Sequence, residues 1–146
     1  MRTGSKELIR DINSHLILEI ILQEGRISRA ALAKKSGLTK ATVSAIVLEL
    51  IEKKLVIEVG SDDTSMGRKP ILLTFNASCG HVLSIDLNVD TIAAMTSNLL
   101  GENCHLKQYP NTSERDSILP LLISIIREMI EPLSPAPCGV VGICLG

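Results

Sequence analysis

The stretch ISRAALAKKSGLTKATVSAIVLELIEKK, residues 27–54, decides the fold of the first half of this chain. Ser28 precedes RAALAKKS and Thr39 precedes KATVSAIVLELIEKK, and both residue types are favoured immediately before a helix. Gly37 follows the first segment, at a position where helices commonly end in a left-handed residue. The sequence therefore predicts two helices joined across residues 36–38. This turn is too short for an antiparallel pair but suits a helix-turn-helix.

The second of these helices has two different faces. One face is apolar and is predicted to be buried; it contains Val43, Val47, Leu50 and Ile51. The other face, near the N-terminus of the helix, is small or polar with a single cation; it contains Lys40, Ala41, Thr42, Ser44 and Ala45. A slim face of this kind fits the DNA major groove, about 12 Å wide, where hydroxyls reach base edges or phosphates and small apolar groups meet thymine methyls. We therefore predict a DNA recognition helix, with a solvated helix face as the alternative.

The flanking segments predict the rest of a winged helix. Residues 13–24, NSHLILEIILQE, place apolar side chains at helical spacing, which indicates a further helix before the turn. After the recognition helix, residues 55–59 and 70–75 are rich in β-forming residues and enclose a polar loop. Two strands around such a loop are predicted to form a β-hairpin wing.

The loop of the predicted wing ends in a short basic motif. Gly67 admits backbone angles closed to other residues, and Pro70 disfavours helix at Lys69, so Arg68 and Lys69 are predicted to project at the wing tip. An arginine there can enter the narrow minor groove or contact flanking phosphates. A surface turn before a strand is the simpler alternative for this motif.

The second half of the chain, from Gly80 onwards, has a different apolar pattern. It predicts three strands, a helix and a final strand, in that order. The predicted segments are residues 81–110 for the strands, with turns near 88–90 and 100–102, residues 114–131 for the helix, and residues 139–145 for a buried strand. Because Pro120 falls early in the helix, its start is expected nearer Ser117.

Composition excludes some functions and favours others. The 146 residues, 45% hydrophobic and 21% charged, are typical of a globular chain with one domain or two small ones. Phe75 and Tyr109 are the only aromatic residues, which argues against base stacking on single-stranded nucleic acid. Residues 1–70 contain 12 Lys and Arg against 9 Asp and Glu, whereas residues 71–146 contain 3 against 7. The basic first half points weakly to a polyanionic partner.

The sequence shows no targeting signal and no cluster of reactive side chains, which is typical of an intracellular protein. Charged residues interrupt the N-terminal segment, so that neither a signal peptide nor a membrane span is predicted, and we expect a cytoplasmic location. The cysteines lack a CxxC pair and are predicted to be buried, reduced thiols, and the scattered histidines predict no catalytic or metal site. These residues are Cys79, Cys104, Cys138 and Cys144, and His15, His81 and His105.

Residues 27–60, followed by GRKPILLTFN at residues 67–76, resemble the DNA-binding part of the ROK family (repressors, open reading frames, kinases), and most of all its xylose-operon repressors. The resemblance is almost continuous over residues 12–76 and extends loosely to Gly146. It implies an α+β architecture. Residues 1–76 would form a winged helix-turn-helix domain, and residues 77–146 would begin an actin-like (ribonuclease H-like) α/β ROK domain. The predicted DNA-binding residues are Ser28, Arg29, Thr39, Lys40, Ala41, Thr42, Ser44, Gly67, Arg68 and Lys69.

The resemblance also leaves an enzyme as an alternative. Kinases of the family carry Asp-x-Gly-Gly-Thr in the first hairpin of the actin-like domain, where the glycines let backbone amides approach ATP phosphates. The matching residues 86–91 read DLNVDT, so that Val89 and Asp90 bring a branched side chain and a negative charge to this place. We therefore predict a chain without catalytic, cofactor or metal sites. A sugar kinase with an N-terminal extension, or a winged helix used for protein contacts, are the alternatives.

The function implied by the resemblance is repression of a carbohydrate operon, with xylose as the first choice of sugar. The protein would bind double-stranded operator DNA as a homodimer or higher homo-oligomer. A sugar effector, and the zinc that many members carry, would bind residues downstream of this sequence. Since the elements after Gly80 are too few to close an actin-like core, we expect that domain to be incomplete here.

Overall fold

The structure, a computed structural model of the chain, describes residues 3–60, 71–111, 118–133 and 135–146. Contacts divide the chain into two compact units, Met1–Asn76 and Ala77–Gly146. The predicted wing tip at Gly67, Arg68 and Lys69 lies outside the described residues, as does the start of the predicted helix at residues 114–117. No helix in the described ranges is both long enough and apolar enough to cross a membrane.

Helix caps define the helix-turn-helix of the first unit. Helix α1 spans Thr3–Glu24, α2 spans Arg29–Ser36 and α3 spans Lys40–Glu52. The Ser28 hydroxyl accepts a hydrogen bond from the Ala31 amide, the Thr39 hydroxyl accepts one from the Thr42 amide, and Gly37 adopts φ +70°. Both predicted caps and the predicted left-handed glycine are confirmed. The predicted start of the first helix, at Asn13, is wrong by ten residues. The apolar side chains before Asn13 do not continue the apolar face that the helix buries, so the sequence pattern there did not indicate a helix.

The described strands of the first unit form a three-stranded antiparallel sheet in the order β1-β3-β2. Strand β1 spans Ile27–Ser28, β2 spans Val56–Val59 and β3 spans Leu72–Phe75. Strands β2 and β3 confirm the predicted pair within two residues. Strand β1 was not predicted, since two residues are too short to show an alternating pattern. It pairs with β3, so that the residues before α2 join the sheet.

The core of the first unit forms where the three helices meet the sheet. Residues spaced i, i+3, i+4 and i+7 on α3 are buried, which confirms most of the predicted apolar face and adds Ile46; Ile51 is half-buried. The core residues are Ile17, Ile21, Ile27, Leu32, Val43, Ile46, Val47, Leu50, Val56 and Leu73.

The described part of the second unit is a four-stranded mixed sheet with one helix, in the strand order β6-β5-β4-β7. Its first three strands pair antiparallel, and β7 lies parallel to β4. A 3₁₀ turn at Ala77–Cys79 precedes β4 (His81–Leu87), β5 (Thr91–Asn98), β6 (His105–Pro110), α4 (Ile118–Ile130) and β7 (Val140–Leu145). The predicted order of three strands, a helix and a strand is confirmed.

Two burial predictions for the second unit are wrong. Helix α4 packs on β4 and β5, through Leu122, Ile125 and Met129, so the core lies under these two strands and β7 occupies the edge of the sheet. The apolar side chains of β7 are therefore about half exposed instead of buried. Of the four cysteines only Cys79 is buried; the other three lie in the 101–104 turn, before β7 and on β7, where the core does not reach.

Candidate nucleic-acid interface

Helix α3 presents a slim face on the side opposite the core. Successive residues of an α-helix are rotated by about 100°, so Ala41, Ala45 and Leu48 project away from the buried Val43 and Val47. All three are exposed, and only Leu48 is large. The predicted recognition residues Lys40 and Ser44 flank this face, exposed and half-buried respectively. The first two turns of α3 therefore offer small groups, a hydroxyl and one cation to a groove.

The N-terminus of α3 carries a pair of hydroxyl groups. Thr39 Oγ1 lies 2.9 Å from Thr42 Oγ1 and accepts a hydrogen bond of 3.2 Å from the Thr42 amide. One hydroxyl proton is used between the two threonines, which leaves the other to donate to a phosphate or a base oxygen. The N-terminus of a helix also favours anions, because its first amides and its dipole are positive there. Thr39 and Thr42 thus combine helix capping with a hydroxyl donor on the predicted DNA side.

The other two predicted residues in the described part, Ser28 and Arg29, lie at the start of α2 and already have intramolecular partners. Ser28 Oγ caps α2. Arg29 Nη2 lies 2.7 Å from Glu58 Oε1, and their side chains are 29% and 43% exposed. This ion pair joins α2 to strand β2. To contact a phosphate, Arg29 would have to break its ion pair with Glu58 or bind Glu58 and the phosphate at the same time.

The structure brings two further cations of α1 next to α3. Lys6 and Arg10 line a shallow cleft together with Thr42 and Ala45 of α3. Sequence reasoning missed them because the helix was predicted to begin at Asn13. The signal was the i, i+4 spacing of the two cations, which places them on one side of a helix once α1 is extended to Thr3.

Arg10 and Lys53 converge on one carboxylate of α3. Arg10 lies 3.0 Å and 2.8 Å, through Nε and Nη2, from Glu49 Oε2, and Lys53 Nζ lies 3.2 Å from Glu49 Oε1. The hydrogen bonds from Lys53 and then Arg10 hold the pKa of Glu49 below its ordinary value of 4.5. Glu49 is therefore ionised at neutral pH, and its contact with Arg10 joins α1 to α3.

The β4–β5 turn of the second unit is closed by its own hydrogen bonds. The Asn88 amide donates to the Thr91 carbonyl at 2.9 Å, and Asn88 Nδ2 donates to Asp86 Oδ2 at 2.8 Å. Val89 is 87% exposed at the tip. The turn thus places a branched side chain and the Asp90 carboxylate where a phosphate would need open backbone amides.

The histidines and cysteines form no metal cluster among the described residues. No three His, Cys, Asp or Glu side chains come close enough there to hold a metal ion. His15 lies on the exposed side of α1, with Nδ1 2.9 Å from the Asp11 carbonyl oxygen, while His81 and His105 are strand residues.

Residues 10–57 match a protein family described as winged helix-turn-helix DNA-binding. The xylose repressor of Caldicellulosiruptor bescii is 36% identical over 146 residues, which cover 98% of this chain and 36% of the relative. The xylose repressor of Bacillus spizizenii is 33% identical over 148 residues, which cover 98% and 38%. The chain therefore spans just over a third of the length of these relatives.

A solved structure of a transcriptional regulator is also similar to this chain. The crystal structure of a ROK family transcriptional regulator, a homologue of the Escherichia coli MLC protein, superimposes with a TM-score of 0.71 at 26% sequence identity. The match covers 94% of this chain and 35% of that one. The chain is therefore a relative of the xylose repressors and of the ROK-family transcriptional regulators, and its first unit is a winged helix-turn-helix of the DNA-binding type.

Proposed function

We propose that this chain is the operator-binding part of a transcriptional repressor that controls a carbohydrate-utilisation operon, with xylose as the first candidate sugar. The observation that carries the proposal is the outward face of α3. Its first two turns, after the Thr39 cap, present Lys40, Ala41, Ser44 and Ala45. A solvated helix surface would more often carry Glu and Lys at these positions. The relatives named as xylose repressors supply the choice of operon.

In this proposal α3 enters the major groove and cations on either side contact the phosphates. Lys40 lies in the first turn of α3. Lys6 of α1 lines the same cleft as Thr42 of α3. The Arg29–Glu58 ion pair holds the start of α2 against strand β2, which supports the wing. Arg68 and Lys69 then contact the minor groove or phosphates, as proposed from the sequence alone.

We also propose that the protein is not a kinase. The β4–β5 turn supports this, since the Asn88 amide is already bonded to the Thr91 carbonyl and the Asp90 carboxylate would repel a polyphosphate. The names of the relatives agree, because they are repressors. The sugar effector, and a structural zinc where the longer protein holds one, would bind residues outside this sequence.

Operator recognition by a symmetric homodimer is the expected form of binding. Two copies would place their α3 helices in successive major grooves, with half-sites about one helical turn or a multiple apart. Such an arrangement predicts an inverted repeat in the promoter upstream of the operon.

Fluorescence anisotropy with labelled duplexes tests the proposal. The purified chain is titrated against its own upstream promoter DNA and against a scrambled duplex, across a salt series. We expect tighter binding to the promoter and an affinity that falls as salt rises. Lys40→Ala should weaken binding and reduce the salt slope by about one, whereas Arg127→Ala on α4 should change neither. Equal affinity for both duplexes at every salt concentration would contradict sequence-specific recognition.

A further inference from the structure

Two cysteines far apart in sequence meet in the second unit. The Cys138 thiol donates a hydrogen bond to Cys79 Sγ, with the two sulfurs 3.4 Å apart and the two residues 59 positions apart in sequence. Cys79 ends the 3₁₀ turn before β4 and is fully buried, whereas Cys138 precedes β7 and is exposed. The pair thus joins one protected sulfur to one that solvent can reach.

The backbone around the pair holds the two residues face to face. The Cys138 amide donates to the Cys79 carbonyl at 2.6 Å, and the His81 amide donates to the Gly139 carbonyl at 2.8 Å. Because the backbones of the two residues are hydrogen-bonded and their sulfurs lie 3.4 Å apart, we expect their Cα atoms to fall in the range of about 4.4–6.8 Å that a disulfide spans. The sulfurs need to approach by roughly 1.4 Å to reach the S–S bond length, a distance that side-chain rotation can supply.

We propose that Cys79 and Cys138 form a reversible intramolecular disulfide when the protein meets a peroxide, which makes this pair a specific oxidation site. The proposal does not depend on the DNA-binding function. It distinguishes these two residues from Cys104 and Cys144, which are exposed and have no such sulfur contact among the described residues. Cys104 instead donates to the Gly101 carbonyl.

The environments of the two sulfurs set the order of the steps. Burial, with a smaller contribution from Cys138, raises the pKa of Cys79 to about 11, so Cys79 stays a thiol at neutral pH. The exposed Cys138 sulfur attacks one peroxide oxygen and breaks the O–O bond, which gives a sulfenic acid and, once the thiol proton has passed to the leaving oxygen, water. Cys79 Sγ then attacks Cys138 Sγ and breaks its S–O bond. The hydroxyl leaves with the Cys79 proton as a second water, so one peroxide oxidises two thiols.

The disulfide would fasten the start of β7 to the start of β4. Strand β7 is the edge strand with half-exposed apolar side chains, so a covalent link here adds to its hydrogen bonds with β4. Closing a loop of this length also restricts the unfolded chain, which raises thermal stability. We therefore expect the oxidised protein to melt several degrees above the reduced protein, and thiol reductants to reverse the shift.

Two variants with the same number of thiols test the proposal. The double variant C104S/C144S keeps the pair, whereas C138S/C144S keeps Cys79 with Cys104 and replaces only exposed residues. Each is reduced, treated with hydrogen peroxide, and followed by thiol titration in denaturant, intact mass and non-reducing electrophoresis. We expect C104S/C144S to lose both thiols at least about tenfold faster, as a monomer lighter by two hydrogen atoms, because its sulfurs are held together.

The other outcomes would overturn the proposal. Equal rates of thiol loss in the two variants would mean that the pair has no special reactivity. Added oxygen in C104S/C144S, without loss of hydrogen, would mean that Cys79 does not reach the oxidised Cys138. A melting temperature of oxidised C104S/C144S unchanged from the reduced form would contradict the stabilisation that we expect from the link between β4 and β7.

Discussion

Arg10 on α1 and Glu49 on α3 form a forked contact in which both Nε and Nη2 of the arginine approach a single carboxylate oxygen, at 3.0 Å and 2.8 Å. The second oxygen of Glu49 is left for Lys53, one turn along α3. The contact therefore connects Arg10 and Glu49, which are 39 positions apart in sequence. This connection fixes the long first helix against the proposed recognition helix, whose outward face must stay at a defined angle to enter a groove.

Removing the Glu49 charge should change how stability depends on acid. The pKa of Glu49 is lowered in the folded chain, so its pairs contribute stability that is fully present above the ordinary value of 4.5 and is lost as pH falls through the lower folded pKa. Glu49→Gln should therefore be less stable than the parent at neutral pH, with the difference shrinking as pH falls below 4.5.

Urea unfolding followed by circular dichroism over a pH series measures this effect. The matched control is Glu52→Gln, which removes a carboxylate from the same helix without touching these contacts. A constant difference between Glu49→Gln and the parent across the pH series would show that the ion pairs contribute nothing to stability.

Neighbouring positions on α3 should respond very differently to the same charge. Val47 is fully buried and Leu48 is 56% exposed. Val47→Asp places an unpaired carboxylate in the small core of the first unit, and should cost at least about 3 kcal/mol of its free energy of unfolding. Leu48→Asp should cost less than about 1 kcal/mol. Thermal melting by circular dichroism compares the two. Cooperative melting of Val47→Asp at the parent temperature would show that the buried face is assigned wrongly.

Arg68→Ala tests the wing, which is assigned from the sequence because residues 67–69 lie outside the described part of the chain. The variant should weaken promoter binding by roughly 1–3 kcal/mol if the arginine reads the groove. If it contacts phosphates alone, binding should weaken to a similar degree on promoter and scrambled duplexes. Arg127→Ala, on α4, controls for the loss of one positive charge. Unchanged promoter affinity of Arg68→Ala would remove the wing from the DNA interface and favour a use in protein contacts.

Gly80 and Gly142 should differ in their tolerance of a methyl group. A Cβ at Gly80 would lie 2.9 Å from Val141 Cγ1, 3.2 Å from the Gly139 carbonyl oxygen and 3.3 Å from Cys138 Cβ. Two of these atoms cannot move without shifting the chain that leads into β7, so Gly80→Ala should cost about 1–3 kcal/mol.

At Gly142 a Cβ meets nothing within 4 Å, so Gly142→Ala should leave the free energy of unfolding almost unchanged. Chemical denaturation of the full chain, monitored by circular dichroism, measures both variants. Equal stability of Gly80→Ala and Gly142→Ala would mean that the close approach of the two segments is not rigid.

Features that depend on neighbouring residues were predictable. Ser28, Thr39 and Gly37 mark the ends of helices because a cap involves a side chain and a backbone amide within one turn. The spacing of Val43, Val47 and Leu50 marks the buried face of α3 because helical geometry alone sets which side chains align. The two wing strands and the strand-strand-strand-helix-strand order were predicted for the same reason. The DNA contacts of the ten chosen residues stay predictions.

Features that depend on residues far apart in sequence were decided by the tertiary structure alone. The pairing of β1 with β3, the Arg29–Glu58 and Arg10–Glu49 ion pairs and the Cys79–Cys138 contact leave no local pattern, because each exists only once distant segments have packed. Burial of β7 was predicted wrongly for the same reason: an apolar strand is covered only where a helix packs on it, and α4 packs on β4 and β5. Local sequence thus determined the capped helices α2 and α3 and the order of the longer elements, and long-range packing decided strand β1 and which side chains meet.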